Sequence, residues 1–264
     1  MDFEREYYEI ESFWNTPTTA EDYERIKTIS NLFPHNVESI VDVGCGNGVF
    51  VNFLVNGSRK YKRVCGVDRS ITALGFVKSE KIQASIDKLP FHDNEFDLVL
   101  CLEVIEHLPQ NIYRQGLKEL TRVSNKYIIV SVPNEQNIEI GRITCLDCRT
   151  LFNPDLHLRS FTRDSVSNLL NDYGFTCKEI IFVGEKVCYP ILDDINYIRN
   201  KYKTLVNPWD FNILCPVCGS LLPGKKSSTQ KGSIISTVKG FIQGVWPKIT
   251  KGRWITAVYE KQSF

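Results

Sequence analysis

The feature that most constrains this chain is a turn with three glycines, which stands between an apolar run and an apolar helical pattern. Residues 39–43 (SIVDV) predict a strand and residues 48–55 predict a helix, with Gly44, Gly46 and Gly48 at the junction. Glycine lets the backbone turn tightly and approach a ligand where a side chain would collide. A strand, a glycine turn and a helix in this order indicate a nucleotide-binding sheet, with a tight packing turn as the alternative.

Apolar runs and helical patterns alternate through the next part of the chain. Runs of this kind, separated by helices, indicate parallel strands that are covered on both faces. The sequence therefore predicts an α/β, doubly wound fold. The predicted strands are 39–43, 63–67, 81–86, 96–101, 127–132 and 178–183, with a half-exposed antiparallel strand at 253–261. The predicted helices are 48–55, 71–77, 112–123 and 162–173.

Composition divides the chain into three regions and excludes several classes of protein. Residues 1–36 predict an aromatic, helical cap, residues 37–183 with 252–264 the main domain, and residues 188–250 an insertion. The 42% hydrophobic content is that of a globular protein, and a net charge of +1 gives no indication of a nucleic-acid partner. Neither a transmembrane run nor a signal peptide is recognisable, so we expect a cytoplasmic protein, and no internal repeat is evident.

Two carboxylates accompany the glycine turn. Asp68 ends the second predicted strand, where an acid suits hydrogen bonding to a ribose diol. Asp42 stands just before the turn, where it repels a phosphate but attracts an ammonium group. The pattern therefore favours a cationic nucleoside without phosphate.

These motifs, together with residues 85–97 (SIDKLPFHDNEFD), resemble the class I S-adenosylmethionine-dependent methyltransferases of the type-11 family. The resemblance implies a mostly parallel, seven-stranded Rossmann-like sheet with an antiparallel last strand. It also implies S-adenosylmethionine as cofactor, although Ser85 stands where the family usually has Asp. The cofactor-binding residues that it implies are Asp42, Gly44, Cys45, Gly46, Asn47, Gly48, Asp68, Arg69, Ser85, Ile86 and Cys101.

An acidic block with a histidine follows the fourth predicted strand. On a helical turn, the side chains of Glu103, Glu106 and His107 would lie on one face. Two carboxylates and an imidazole on one face could bind a hard metal ion or act as a general base. The string resembles the divalent-metal sites of quinone-pathway O-methyltransferases and of enzymes that 2'-O-methylate small RNAs. The resemblance implies His157, in an H-x-x-x-F-T context, as a fourth ligand to Mg²⁺ or Mn²⁺. The alternatives are carboxylates that only shape the pocket, and His107 or His157 as a metal-free base.

Four of the nine cysteines form two C-x-x-C pairs, Cys145 with Cys148 and Cys215 with Cys218. This spacing predicts a structural zinc site, because four thiolates fill a tetrahedral coordination sphere completely. A redox disulfide or two unrelated pairs are the alternatives. The other five cysteines are expected to pack as small hydrophobic side chains.

The expected activity is transfer of a methyl group to an oxygen of a small-molecule or glycan-like acceptor. The alternatives are an RNA 2'-O-methyltransferase and a non-catalytic, zinc-stabilised binding module on the same fold. The stretch 225–261 carries eight basic residues and only Glu260 as an acid, which predicts a solvated helix face or a weak membrane or polyanion contact.

Overall fold

The structure, a computed structural model, describes residues 8–15, 17–188, 213–224 and 249–262. These residues separate into two units. One unit contains the described parts of 2–136, 158–184 and 253–264, and is called the sheet unit below. The other contains the described parts of 137–157 and 185–252, and is called the cysteine unit.

The main sheet is built from seven strands in the described part of the chain. They are β1 (Ser39–Val43), β2 (Arg63–Asp68), β3 (Glu80–Gln83), β4 (Phe96–Leu102), β5 (Ser124–Pro133), β8 (Phe175–Cys188) and β11 (Ile249–Lys261). The order across the sheet is β3-β2-β1-β4-β5-β11-β8. Strands β1 to β5 run parallel, and β11 pairs antiparallel with β5.

Helices cover both faces of this sheet. They are α1 (Glu11–Trp14), α2 (Ala20–Ser30), α3 (Val49–Asn56), α4 (Ile71–Leu74), α5 (Gln110–Val123) and α6 (Arg163–Ser167), with a 3₁₀ turn at Asn171–Tyr173. Helix α2 begins at a capping box, in which the Thr19 side chain and the Asp22 carboxylate each accept a hydrogen bond from the other residue's backbone.

The alternation of side chains along the central strands produces two cores. In β4, Leu98 and Leu100 pack with Ile29 of α2 and Phe50 of α3 on one face. On the other face, Val99 and Cys101 pack with Leu117 and Leu120 of α5. Burial on both faces explains why these strands are continuous apolar runs rather than alternating ones.

The strand order reverses between β1 and β4, because β2 follows β1 on one side and β4 lies on the other. In open parallel sheets, ligands bind in the crevice at the carboxyl ends of the strands where the order reverses. The glycine turn leaves the carboxyl end of β1, and the acidic block leaves the carboxyl end of β4. Both predicted motifs therefore belong to the same edge.

The cysteine unit contains two small hairpins. Strands β6 (Ile143–Thr144) and β7 (Leu151–Phe152) pair antiparallel, as do β9 (Ile213–Leu214) and β10 (Leu221–Leu222). Each hairpin carries one C-x-x-C pair at its turn.

The predicted α/β class is confirmed, and so is a mostly parallel sheet with an antiparallel last strand. The extents of two predicted helices are wrong. The predicted helix over 162–173 is two short pieces, because the chain leaves helical geometry after Ser167 and resumes only as a 3₁₀ turn. The helix predicted over 71–77 ends at Leu74. None of the helices in the described ranges is long and apolar enough to cross a bilayer.

Candidate active site

The glycine turn has the backbone geometry that its sequence predicts. Gly44, Gly46 and Gly48 have φ angles of +80°, +54° and +72°, in the left-handed region that side chains disfavour. The amides of Gly44 and Cys45 both donate to the carbonyl of Val67, at 2.7 and 2.9 Å. The turn after β1 is thereby attached to the end of β2, and three of its five residues, 44–48, lack a Cβ atom.

Asp68 joins the glycine turn to the loop that follows β2. One carboxylate oxygen accepts a hydrogen bond from the Gly46 amide at 2.8 Å, and the other accepts from the Ser70 amide at 2.9 Å. Burial raises the pKa of Asp68, and these amide donors oppose the rise. The two bonds fix the plane of the carboxylate, as recognition of a diol requires.

A short N-terminal segment lies against the glycine turn. A Cβ atom added to Gly46 would come within 2.8 Å of the Trp14 ring, and the Asn47 side-chain amide donates to the Trp14 carbonyl at 2.9 Å. The Glu9 carboxylate accepts from the amides of Ile71 and Thr72, at the start of α4. The predicted cap residues Tyr7 and Phe13 lie outside the side chains that the structure describes.

Asp42 is buried beneath the turn, with 3% of its surface exposed. One of its carboxylate oxygens has no hydrogen-bond partner among the described residues. Burial, followed by the charge of Asp68, raises its pKa to about 7, and the Arg25 guanidinium opposes the rise. A buried carboxylate with an unsatisfied oxygen favours a cationic ligand nearby.

The remaining cofactor candidates lie along the same edge of the sheet. Ser85 donates to the Asp87 carboxylate, and Ile86 is buried against Gly116 of α5. The Arg69 carbonyl accepts from the Gln83 side chain at 3.0 Å. Cys45 and Cys101 are buried, and burial raises the pKa of both thiols well above the ordinary value. They act as small apolar residues that shape the edge.

The block after β4 is a turn, and the predicted helical face is wrong. Residues 103–108 adopt no α-helix, and α5 begins only at Gln110. Glu103 has a left-handed φ of +59°, which ends the strand and turns its side chain toward α2. There its carboxylate forms an ion pair with Arg25 at 3.0 Å and accepts from the Ser131 hydroxyl at 3.3 Å.

Glu106 is the most unusual side chain of this block. It is fully buried, and neither carboxylate oxygen has a hydrogen-bond partner in the described residues. Burial and the neighbouring Glu103 charge raise its pKa well above the ordinary value. Glu106 and His107 offer potential ligand atoms within 4.8 Å of each other. Such a carboxyl group is available to a metal ion or to an acceptor.

His157 is the last residue of the cysteine unit before the chain returns to the sheet unit. The next residue, Leu158, donates its amide to the Glu106 carbonyl at 2.8 Å. Two residues further on, the Arg159 guanidinium donates to the Ile105 carbonyl and lies 4.0 Å from the Tyr113 ring centroid. The segment that follows His157 is therefore attached to the block that carries Glu106.

Sequence reasoning missed several residues at this edge. Arg25 pairs with Glu103 and lies 4.4 Å from the Trp254 ring centroid, although these residues are far apart in the chain. Glu9 and Arg159 were also missed. In the sequence, Arg25 is one charged residue in an amphipathic helix, and nothing near it in the chain indicates that it pairs with Glu103.

Comparison with known proteins identifies the central part of this sheet. Residues 41–127 match the family model described as a methyltransferase domain. This matched segment is called the methyltransferase domain below. The match includes the glycine turn, Asp68 and the block with Glu106, which are the features that the site geometry brings to one edge.

Individual relatives match the methyltransferase domain and its surroundings. The chain is 36% identical over 121 residues to an uncharacterized protein of Methanocaldococcus jannaschii, covering 44% of this chain and 50% of that protein. It is 32% identical over 143 residues to a probable S-adenosylmethionine-dependent methyltransferase of Mycobacterium tuberculosis, covering 52% and 48%. The chain thus spans about half the length of the curated relatives it matches.

A solved structure extends the likeness in fold to nearly the whole chain. A S-adenosylmethionine-dependent methyltransferase from Archaeoglobus fulgidus superposes with a TM-score of 0.55 at 17% identity, covering 97% of this chain and 99% of that one. The predicted seven-stranded, Rossmann-like methyltransferase sheet is thereby confirmed.

Asp42 in the methyltransferase domain should make stability depend on pH. Its ordinary pKa of 3.8 rises to about 7 on folding, so its contribution to stability is greatest below pH 4 and is lost as pH rises toward 7. Asp42→Asn removes this loss, and its stability advantage should grow by about 2 kcal/mol between about pH 5.5 and about pH 8. Urea unfolding of the ligand-free protein at both pH values measures it.

The matched control is Asp172→Asn, which removes an exposed carboxylate. Its unfolding free energy should follow that of the natural protein at both pH values. Parallel pH profiles for Asp42→Asn and the natural protein would show that Asp42 is not a buried charge.

Proposed function

We propose that this chain transfers the methyl group of S-adenosylmethionine to an oxygen atom of a small-molecule or glycan-like acceptor. The observation that carries the proposal is the corner formed by Gly46 and Asp68, where a fixed carboxylate accepts the amide of a left-handed glycine. It lies in the methyltransferase domain, at the edge where the strand order reverses. The activity of the whole chain, its cofactor and its acceptor are all part of this proposal.

The residues present fit this cofactor. The left-handed glycines form the turn whose backbone is proposed to contact the methionine and ribose parts, and Asp68 offers its carboxylate to the ribose hydroxyls. The unsatisfied oxygen of Asp42 adds a negative charge below the turn for a ligand that carries positive charge. Ser85 and the backbone around Ile86 are the proposed contacts of the adenine, and Arg69 and Asn47 are further proposed cofactor contacts. When bound, S-adenosylmethionine supplies a methyl group on a positively charged sulfur.

The acceptor side belongs to the block after β4. A carbon–oxygen bond forms to the acceptor while the carbon–sulfur bond breaks, and the acceptor hydroxyl must lose its proton. His107 is the proposed base, and Glu106 would hold the acceptor or its counter-ion because both carboxylate oxygens are available. Glu103 is occupied by Arg25, so its proposed role is to set the charge around Glu106.

A divalent ion, Mg²⁺ or Mn²⁺, is a further part of the proposal. Glu106 and His107 supply a carboxylate and an imidazole within ligand distance of each other. His157 is the additional ligand that the sequence resemblance implies. Carboxylate oxygens suit hard cations, and an ion there would lower the pKa of an acceptor hydroxyl. The buried, unsatisfied oxygens of Glu106 support this reading.

Methyl transfer can be tested without knowing the acceptor. The protein is incubated with cell extract and S-adenosylmethionine labelled in its methyl group, and the labelled products are separated into small molecules, glycans and RNA. We expect label in a small-molecule or glycan fraction. The label should resist dilute acid and be released as methyl iodide by hydriodic acid, as an O-methyl ether requires. Glu106→Gln preserves side-chain volume and should reduce transfer about 100-fold while cofactor affinity changes by less than about twofold.

Each other outcome contradicts a particular part of the proposal. Label in RNA would replace the acceptor class, and cofactor binding without any transfer would indicate a binding module. Chelation should abolish methyl transfer, and added Mg²⁺ or Mn²⁺ should restore it. Because a chelator could also remove a metal ion from the four paired cysteines, the metal content of the protein is measured after chelation as the control. Full transfer in chelator would remove the metal ion and leave proximity and orientation as the source of catalysis.

A further inference from the structure

The two hairpins of the cysteine unit are copies of one another, so the prediction that the chain has no internal repeat is wrong. Each hairpin has an isoleucine two positions before its first cysteine and a hydroxyl residue two positions after its second. A leucine follows the hydroxyl residue in both. The equivalent pairs are Ile143 and Ile213, Cys145 and Cys215, Cys148 and Cys218, Thr150 and Ser220, and Leu151 and Leu221.

The backbone hydrogen bonds repeat with the sequence. The first cysteine amide donates to the carbonyl of the hydroxyl residue at 2.9 Å in both hairpins, from Cys145 to Thr150 and from Cys215 to Ser220. The residue after the second cysteine is left-handed in both, with φ of +64° at Arg149 and +72° at Gly219. Two separate segments thus fold into the same knuckle.

The first thiol of each knuckle lies beside the second thiol of the other knuckle. The sulfur of Cys145 lies 3.6 Å from that of Cys218, and the sulfur of Cys148 lies 3.6 Å from that of Cys215. All four sulfur atoms lie within 4.8 Å of one another. A disulfide would need about 2.05 Å. A tetrahedron of Zn–S bonds of about 2.3 Å has edges of about 3.8 Å.

We propose that Cys145, Cys148, Cys215 and Cys218 bind one zinc ion in a closed tetrahedral site, and that this ion is required for the cysteine unit to fold. Four thiolates leave no open position for water or substrate, so the site is structural. It lies outside the methyltransferase domain and takes no part in the proposed methyl transfer.

The need for the ion follows from the small core that the two hairpins share within the described ranges 137–157 and 213–224. The buried hydrophobic residues that the structure describes in this unit are Ile143, Phe152, Ile213 and Leu222, together with the ligands Cys145 and Cys215. Four apolar side chains offset only a small part of the entropy lost on ordering two hairpins. Metal–thiolate bonds supply the remainder, as they do in small domains that are unfolded without metal.

Hydroxyl groups next to the thiols support the negative charge that zinc binding requires. The Thr150 hydroxyl oxygen lies 3.3 Å from the Cys148 sulfur, and the Ser220 hydroxyl oxygen lies 3.2 Å from the Cys218 sulfur. Once Cys148 is ionised, the Thr150 hydroxyl donates to its thiolate. The Ser220 hydroxyl has a single proton, which goes either to the Cys218 thiolate or to the Asp147 carboxylate of the other knuckle.

Metal analysis of the full chain tests the proposal. Protein purified under reducing conditions should contain about one zinc per chain, and replacement by Co²⁺ should give the absorption of a tetrahedral tetrathiolate site. Cys215→Ser with Cys218→Ser should lose the metal and make residues 137–157 accessible to protease. Cys177→Ser is the matched control, because this half-buried cysteine belongs to the sheet unit, and it should retain the zinc.

A milder substitution keeps the test independent of folding. Thr150→Val and Ser220→Ala retain all four ligands and should each weaken zinc affinity about 10-fold in competition with a chromophoric chelator. Zinc-free protein with four titratable thiols and the same protease resistance would overturn the proposal. So would two disulfides in place of the metal. Neither readout depends on methyl transfer, so this proposal and the proposed function can fail separately.

Discussion

Gly46→Val should leave no S-adenosylmethionine binding detectable by calorimetry. Gly46 has a φ of +54°, which a β-branched residue adopts only with strain, and its Cβ would lie 2.8 Å from the Trp14 ring. The backbone would have to shift, and its amide would leave the Asp68 carboxylate. Strain and overpacking together amount to about 3 kcal/mol, which corresponds to at least about a 100-fold loss of affinity.

The control for this substitution is Gly57→Ala, at the end of α3, where φ is −68° and alanine needs no left-handed backbone, although its Cβ would lie 3.3 Å from the Phe53 carbonyl oxygen. It should bind the cofactor within about twofold of the natural protein. Adding Trp14→Ala to Gly46→Ala should recover part of the affinity that Gly46→Ala loses, because the ring would no longer obstruct the side chain. Unchanged affinity in a folded Gly46→Val protein would show that the ligand binds elsewhere.

Asp68→Ala should weaken cofactor binding by about 10- to 100-fold, since charge-assisted hydrogen bonds are typically worth about 1.5–3 kcal/mol. The substitution removes the proposed acceptor for the ribose hydroxyls and also frees the amides of Gly46 and Ser70. Calorimetric titration measures the change in dissociation constant.

Asp68→Asn separates the two effects, because it keeps the side-chain volume and one carbonyl oxygen. We expect an affinity between those of the natural protein and Asp68→Ala. If Asp68→Ala binds S-adenosylmethionine as tightly as the natural protein, Asp68 does not contact the ribose, and the assignment of the corner is wrong.

The sheet was predictable because each of its strands carries a local signal. Buried parallel strands are apolar throughout, and the glycines at the end of β1 occupy backbone geometry that few other residues adopt. The capped start of α2 at Thr19 also has a local sequence signal. These features depend on residues within a few positions of each other, so periodicity and turn chemistry suffice to find them.

The contacts between distant segments were not predictable. Glu103, Glu106 and His107 have helical spacing, yet the left-handed backbone at Glu103 and its ion pair with Arg25 place them in a turn. The partner of Glu103 depends on how α2 packs on the sheet. The repeat of the knuckles was missed because only a few positions in each copy are identical, and the shared backbone geometry becomes visible only in three dimensions.

The N-terminal contacts determine how much of the chain a working fragment must contain. The family match begins at residue 41, after Glu9, Trp14 and Arg25. A fragment cut at that boundary would retain the glycine turn and Asp68, but it would lack the ring over Gly46, the acid at the start of α4 and the cation that neutralises Glu103. We therefore expect the smallest fragment that keeps this corner intact to be larger than the region that matches the family model, and deletion mapping guided by that match alone would underestimate it.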